Sequence, residues 1–143
     1  MIYNITYDKK EVTDEIESNV GAPYGFLSRL KMRGIGSEKM HIIDASPLIE
    51  GLLQYEDQPN YCNIELRPRG VLIHFKYRAE TYGWVIPFGK LSVYKSDGSY
   101  RIYGDADFIK VTKMLNSNAL TQFMKKLLDK RVEYLHSISG PFE

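Results

Sequence analysis

Residues 62–75 read CNIELRPRGVLIHF, and this stretch decides the fold class. Two predicted strands, residues 62–66 and 71–77, flank Arg67-Pro68-Arg69-Gly70, where proline and glycine stand in turn-favouring positions. Pairing across this turn puts six apolar side chains on one surface, as Leu66 with Val71, Ile64 with Ile73 and Cys62 with Phe75. The other surface is mostly polar, with Asn63, Glu65, His74, Lys76 and Arg78. The stretch predicts an antiparallel hairpin with one packed face and one wet face.

Further strand signals follow this hairpin. Residues 82–88 are apolar and aromatic, and Pro87, which cannot donate to a ladder, marks a strand end, an edge or a bend. Residues 91–95 and 100–103 flank Asp97-Gly98, a strong hairpin signal because both central residues of a type I′ turn need positive φ. A last short strand is predicted at 108–111. The chain therefore predicts a twisted antiparallel sheet of about five to seven strands.

The end of the chain predicts one long amphipathic helix. Its apolar residues recur at spacings of three and four, at Leu120, Phe123, Met124, Leu127, Leu128, Val132 and Leu135. Asn118 or a neighbour can cap its start, and Gly140-Pro141 ends it. We expect these seven apolar side chains to be buried against a sheet. We expect a polar substitution at Phe123 or Leu127 to unfold the domain.

Residues 1–60 read as a mainly helical subdomain with a short strand near Ile2. Asp8, with Glu11 three residues on, has the spacing of a helix start, and Val12, Ile16 and Val20 form a thin apolar stripe. Two more short helices are predicted. The first contains Phe26, Leu27 and Leu30, and the second is capped by Ser46 with Pro47 at its first position.

The two halves are expected to form one domain, 1–143, because residues 1–60 have too few apolar side chains for their own core. Residues 61–143 then hold the strands and the C-terminal helix. The predicted fold class is α+β, a curved antiparallel sheet or partial barrel covered by the C-terminal helix, with short N-terminal helices.

Composition limits the classes of partner. The 143 residues carry 19 Lys and Arg against 18 Asp and Glu, a net charge of +1, so the overall field that nucleic-acid or anionic-membrane binding usually needs is missing. Any such site would have to be local. The single cysteine fits a reducing compartment, and neither an N-terminal leader pattern nor a membrane-spanning apolar run is seen. These features predict a cytoplasmic protein.

The later part of the chain resembles the bacterial pleckstrin-homology-like proteins. The resemblance covers residues 61–136 and rests on consecutive strands, a step formed by Trp84, Ile86, Pro87, Phe88 and Leu91, an Asp-Gly hairpin and a closing helix. In that family a C-terminal helix plugs a curved sheet or partial barrel. The resemblance implies a scaffold for binding or self-association, with no common set of catalytic residues.

Residues able to do chemistry do not assemble into a site. Cys62 and His74 fall on opposite faces of the predicted hairpin, which favours a core cysteine over a nucleophile. His41, His74 and His136 lack zinc-site spacing, and His41 with Asp44 reads as a surface polar pair. The acidic residues Asp97, Asp105 and Asp107 read as exposed turn residues, and Gly34-Ile35-Gly36 as a flexible break. We therefore assign no catalytic, cofactor-binding or metal-binding residue.

Basic residues supply the candidate binding site. Six of them could form an anion-binding patch on the first hairpin and the last helix: Arg67, Arg69, Lys76, Arg78, Lys125 and Lys126. Tyr77, Tyr82 and Trp84 nearby would suit stacking on single-stranded nucleic acid. The more economical interpretation is that the lysines solvate the outer side of the helix and the aromatic rings pack in the sheet.

The leading functional hypothesis is a non-catalytic cytoplasmic binding or assembly module. Its partner is another protein or a second copy of the chain, since a strand edge beside Pro87 must be covered or paired. The alternative is anion or single-stranded nucleic-acid binding through the basic residues.

Overall fold

The computed structural model describes residues 1–53, 60–115 and 118–139, and within them it contains eight strands and four α-helices. The strands are β1 (Ile2–Asn4), β2 (Met40–Ala45), β3 (Asn60–Arg67), β4 (Gly70–Tyr77), β5 (Glu80–Pro87), β6 (Leu91–Ser96), β7 (Ser99–Gly104) and β8 (Asp107–Lys113). The helices are α1 (Lys10–Val20), α2 (Phe26–Lys31), α3 (Pro47–Leu52) and α4 (Ala119–Ser139). No helix in these ranges is long and apolar enough to cross a membrane.

All eight strands form one antiparallel sheet in the order β1-β5-β4-β3-β2-β8-β7-β6. The α+β class with a C-terminal helix is confirmed. The sheet has more than the predicted five to seven strands because residues 1–60 contribute β2 in addition to the predicted strand near Ile2, and β2 lies near the centre between β3 and β8. Met40 and Ile42 face the core from β2 and are buried.

The predicted hairpins are confirmed in their register. Leu66 pairs with Val71, and the remaining two apolar pairs follow as the alternation requires. In the second hairpin Ser96 pairs with Ser99, and the central residues Asp97 and Gly98 have φ of 48° and 78°. Positive φ at both positions is the requirement that made Asp-Gly the signal.

The sheet is strongly curved. β5 and β6 are six strand positions apart, about 29 Å in a flat sheet. Only Phe88–Lys90 connects them, and an extended connection of that length spans at most about 14 Å. The sheet must therefore roll until its inner faces meet. Gly104 of β7 shows that contact, because a Cβ atom there would lie 2.8 Å from Ile86 of β5.

α4 covers the inner, apolar face of the sheet with only part of its predicted stripe. Leu120, Phe123, Met124 and Leu127 are buried, but Val132 is 62% exposed and Leu128 is 38% exposed. The expectation of seven buried residues is therefore wrong. Beyond Leu127 the helix is held by polar bonds as well as ring packing: Arg131 donates to the carbonyls of Phe88 and Leu91, and the rings of Tyr134 and Phe88 lie 5.7 Å apart. The predicted end at Gly140-Pro141 lies outside the described residues.

α1 covers part of the outer face, which is therefore not wet throughout as expected. Ile16 and Val20 of α1 pack on Leu72 and Val85, and these four side chains form a second buried cluster. Leu72 and Val85 occupy outward positions of β4 and β5, where the sequence interpretation considered only the polar neighbours. The partly buried side chains of Tyr3, Ile5 and Val12 pack against the same cluster.

The predicted caps of α1 and α3 differ in detail from the observed ones. The N-cap of α1 is Lys9, without a side-chain cap bond, so Asp8 does not cap the helix. Ser46 is the N-cap residue of α3 with Pro47 next, as predicted, but its hydroxyl does not cap the helix either. It donates to Asp107 Oδ1 (2.8 Å) and accepts from the Phe108 N–H (3.1 Å), which ties the start of α3 to β8.

Candidate functional site

Arg67 and Arg69 from the predicted anion patch are bonded within the protein. Arg67 is only 8% exposed, forms an ion pair with Glu65 and donates through Nη1 to the Gly21 carbonyl at 2.9 Å. Arg69 donates through Nη2 to the carbonyls of Glu17 and Ser18, each at 2.9 Å. Cations stabilise the carbonyl end of a helix, where the helix dipole is negative. Both arginines thus anchor the end of α1 to the turn between β3 and β4.

The other four predicted anion-binding residues lie elsewhere. Lys76 and Arg78 are exposed at the far end of β4, roughly 25 Å along the strand from Arg69. Lys125 is exposed on α4, and Lys126 donates to the carbonyls of Arg33 and Gly34. The structure therefore places the six predicted residues in three separate regions.

A small polar cluster lies on the outer face of β3 and β4. Glu65 Oε1 is 3.0 Å from His74 Nε2, and Arg67 holds the other carboxylate oxygen. Burial raises the pKa of Glu65, but the hydrogen bond with His74 and the attraction of Arg67 outweigh it and leave that pKa below its ordinary value. The cluster lacks a nucleophile. Cys62 projects into the core on the opposite face, as predicted, and burial raises the pKa of its thiol to about 12.

The described ranges show no metal-ligating group: no three His, Cys, Asp or Glu side chains in them come close enough to hold an ion.

Two of the aromatic residues considered for stacking on nucleic acid, Trp84 and Tyr82, pack at the core, as the more economical interpretation expects. Trp84 is buried, and Tyr82 stacks on Phe75 with ring centroids 5.8 Å apart. Tyr77, which follows at the end of β4, has the Arg78 guanidinium over its ring at 5.3 Å.

A different aromatic group lies on the outer face of β6, β7 and β8. Tyr94 and Tyr103 meet edge to face at 5.7 Å, and Tyr103 lies 5.6 Å from Phe108. Arg101 stacks over the Phe108 ring at 4.9 Å and stands directly opposite Lys110. The sequence shows that each of these residues alternates with a core residue of its own strand. It does not show the strand order that brings them together.

β6 is the long edge of the sheet. It pairs only with β7 among the described strands. Its two-residue hairpin makes Ser96 and Ser99 a hydrogen-bonded pair, so the main-chain groups of Leu91, Val93 and Lys95 point away from β7. Arg131 Nε reaches the outward carbonyl of Leu91 at 3.0 Å, which agrees with this assignment. The outward groups of Val93 and Lys95 bond to no described residue.

α2 forms as predicted, but its apolar residues do not pack. Phe26, Leu27 and Leu30 are 67%, 72% and 60% exposed. The helix is held by its neighbours, since Met32 after it and Tyr24 before it pack against the main core. Sequence periodicity detects such a helix but cannot tell which surface its apolar residues meet.

Comparison with known proteins gives no family for this chain: no family model, no curated protein and no solved structure matches it. The fold and these surfaces define an α+β protein with a curved sheet, a strand edge that no described strand pairs with, and an exposed apolar helix.

Proposed function

We propose that this chain is a non-catalytic assembly module that pairs with a second copy of itself along β6. The observation that carries the proposal is the six-residue edge strand whose outward main-chain groups at Val93 and Lys95 have no bond to any described residue. Such a strand is a template for another strand, and natural proteins cover or block it. Addition of a strand at a sheet edge is a common recognition mode.

One register of the two β6 strands provides hydrogen-bond partners for the outward main-chain groups of Val93 and Lys95. If Tyr94 lies opposite Tyr94 of the second copy, Val93 lies opposite Lys95 of the other strand, and the two such pairs form four main-chain hydrogen bonds. The bond from Arg131 to Leu91 is left intact. The arrangement is two-fold symmetric and so produces a closed dimer. It also avoids a direct Lys95–Lys95 repulsion.

The surroundings of the edge agree with this use. Tyr94 is 60% exposed, and two exposed apolar residues, Leu128 and Val132, lie within a helical turn of Arg131, which contacts the start of β6. The edge was expected beside Pro87, but β5 is not an edge strand, because β1 pairs with its residues 82–84. The edge strand is β6, the next strand along the chain.

The scaffold itself we propose to be pleckstrin-homology-like. The support is the Ile86-Pro87-Phe88 step at the end of β5, the β6–β7 hairpin after it, and a C-terminal helix on the inner face of a curved sheet. A scaffold of this kind would serve binding or self-association rather than catalysis, and we place it in the cytoplasm.

Replacement of Lys95 by proline tests the pairing. Lys95→Pro removes an outward N–H without breaking any bond to β7, whereas the matched control Lys95→Ala keeps that N–H. We expect the wild type and Lys95→Ala to sediment as dimers, also at high salt, and Lys95→Pro as a monomer with nearly unchanged melting temperature. A wild type that is monomeric at every concentration, or a dimeric Lys95→Pro variant, would refute the proposal.

The second candidate is anion or single-stranded nucleic-acid binding, now on the outer face of β7 and β8. Arg101 and Lys110 are directly opposite each other, an arrangement that costs stability, and neither has a described carboxylate within ion-pair distance. Tyr103 and Phe108 beside them offer ring faces for bases. Salt-sensitive oligonucleotide binding that Arg101→Ala with Lys110→Ala abolishes, and Lys76→Ala does not, would favour this function.

A further inference from the structure

The exposed residues of α2 form one apolar arc that points away from the protein. At 100° per residue, Phe26, Leu30 and Leu27 fall within about 100° of one another. Met32, which packs against the core, lies on the opposite side of the same axis. The apolar arc of the helix therefore faces away from the protein. In an amphipathic helix that covers a core, the apolar side faces the protein.

Basic residues stand on both flanks of this arc. Arg29 precedes Phe26 around the helix by about 60°, and Lys31 follows Leu27 by about 40°. Arg33 comes two residues after the helix, and residues 24–34 contain no acidic side chain. None of the three cations is in an ion pair with a described carboxylate.

The segment is fixed in place before any partner arrives. The N–H of Gly34 donates to the Arg29 carbonyl at 2.9 Å and the N–H of Arg33 to the Leu30 carbonyl at 3.2 Å, the two bonds of a Schellman end. Lys126 of α4 donates to the Gly34 carbonyl at 3.0 Å and so ties the end of α2 to α4. The apolar arc is thus presented on a rigid support.

We propose that α2 docks the protein on an anionic lipid surface, with Phe26, Leu27 and Leu30 below the headgroups and Arg29, Lys31 and Arg33 among them. A lipid surface is apolar beneath and anionic on every side, which matches an apolar arc with cations on both flanks. A protein partner would need an apolar groove with acidic residues along both rims. Long basic side chains at the flanks reach outward to the headgroups while their stems stay in apolar contact.

Vesicle sedimentation tests the proposal. The probes are vesicles of phosphatidylcholine alone and vesicles of an equal mixture of phosphatidylcholine and phosphatidylglycerol. We expect the wild type to sediment with the mixed vesicles only, and less as salt rises, because each basic residue near the surface contributes electrostatically. Equal binding to both vesicles, or binding to neither, would overturn the proposal, and the latter would leave an acidic protein as the occupant of α2.

Variants separate the apolar part from the charge. Phe26→Ser with Leu27→Ser should weaken binding at least about tenfold, since each apolar side chain contributes through its buried area. Leu48→Ser is the matched control, because Leu48 is also 60% exposed on a six-residue helix. All three side chains are mostly exposed, so the melting temperatures should stay close to that of the wild type. Unchanged binding of the double variant would show simple charge attraction and refute the insertion of α2.

The lipid proposal stands apart from the β6 dimer. Lys95→Pro is monomeric under the assembly proposal and keeps α2 intact, so it should still sediment with the mixed vesicles, with loss of avidity only. A monomeric wild type that sediments with the mixed vesicles would refute the dimer alone. A wild type that is dimeric but sediments with neither kind of vesicle would refute the lipid proposal alone.

Discussion

Polar side chains next to the β3–β4 turn form hydrogen bonds with other groups of the same protein. Arg67 and Arg69 use their guanidinium groups on helix carbonyls, and Glu65 joins Arg67 to His74. Arginine suits this position because its rigid fork reaches several acceptors at once. A basic residue in a turn is therefore not evidence for a ligand until the chain that packs beside it is known.

Glu65 should make stability depend on pH in the acid range. Its pKa in the folded protein lies below the 4.5 of an ordinary glutamate, so the unfolded chain binds the proton more readily. The stabilisation is fully present above about pH 5 and is lost as the pH falls through the folded pKa. We expect Glu65→Gln to cost about 1–3 kcal/mol at pH 7.

Urea unfolding of the wild type and Glu65→Gln from pH 3 to pH 7 measures how the contribution of Glu65 to the free energy of unfolding depends on pH. The difference between the wild type and Glu65→Gln should shrink as the pH falls below the ordinary glutamate pKa. Glu50→Gln, at an exposed position of α3, serves as the control and should change little at any pH. A constant difference between the wild type and Glu65→Gln over the whole range would contradict the interpretation.

Among the helices, α4 divides into two functional parts. Its first turns bury Leu120, Phe123, Met124 and Leu127 against the sheet. Its later turns contact the protein through Arg131 and Tyr134 and expose apolar residues between them. The first part holds the fold together, and the second lies next to the edge strand that we assign to assembly.

Alanine substitutions at two positions of α4 should separate these parts. Leu127→Ala removes buried volume and should cost about 2–5 kcal/mol of unfolding free energy. Val132→Ala should change it by no more than about 0.5 kcal/mol, since Val132 is mostly exposed. A polar residue at Phe123 or Leu127 should unfold the protein altogether. Chemical denaturation checks the two alanine variants, and equal losses at both positions would contradict the division.

At the scale of the whole molecule, the two halves of the chain share one sheet. β2 pairs with β3 on one side and with β8 on the other, so it joins the β3–β5 strands to the β6–β8 strands. α1 adds the cover of Leu72 and Val85 from outside. The core therefore depends on side chains from residues 1–60 and 61–143 together.

Removal of residues 1–60 should consequently abolish folding. A chain of residues 61–143 would expose the inner edges of β3 and β8 and the outward apolar pair on β4 and β5, with no strand or helix to cover them. We expect no cooperative thermal transition from that fragment and a single two-state transition from the full chain, measured by calorimetry. A fragment that melts cooperatively would contradict the single shared core.

The local elements were determined by the sequence. The register of Cys62 with Phe75, the Asp97-Gly98 turn and the helical spacing from Leu120 to Leu127 all follow from side-chain periodicity and turn chemistry, which act within a few residues. Only the tertiary structure decided how these elements are used, because contacts between distant segments carry no local signal. It placed β2 at the centre, engaged Arg67 and Arg69 with α1, gathered Tyr94, Tyr103 and Phe108 on one face, and left α2 and the edge of β6 exposed. Burial depends on which segment of the chain packs against a helix, so similar apolar spacing produced an α4 that is buried in its first turns and an α2 whose apolar residues are exposed.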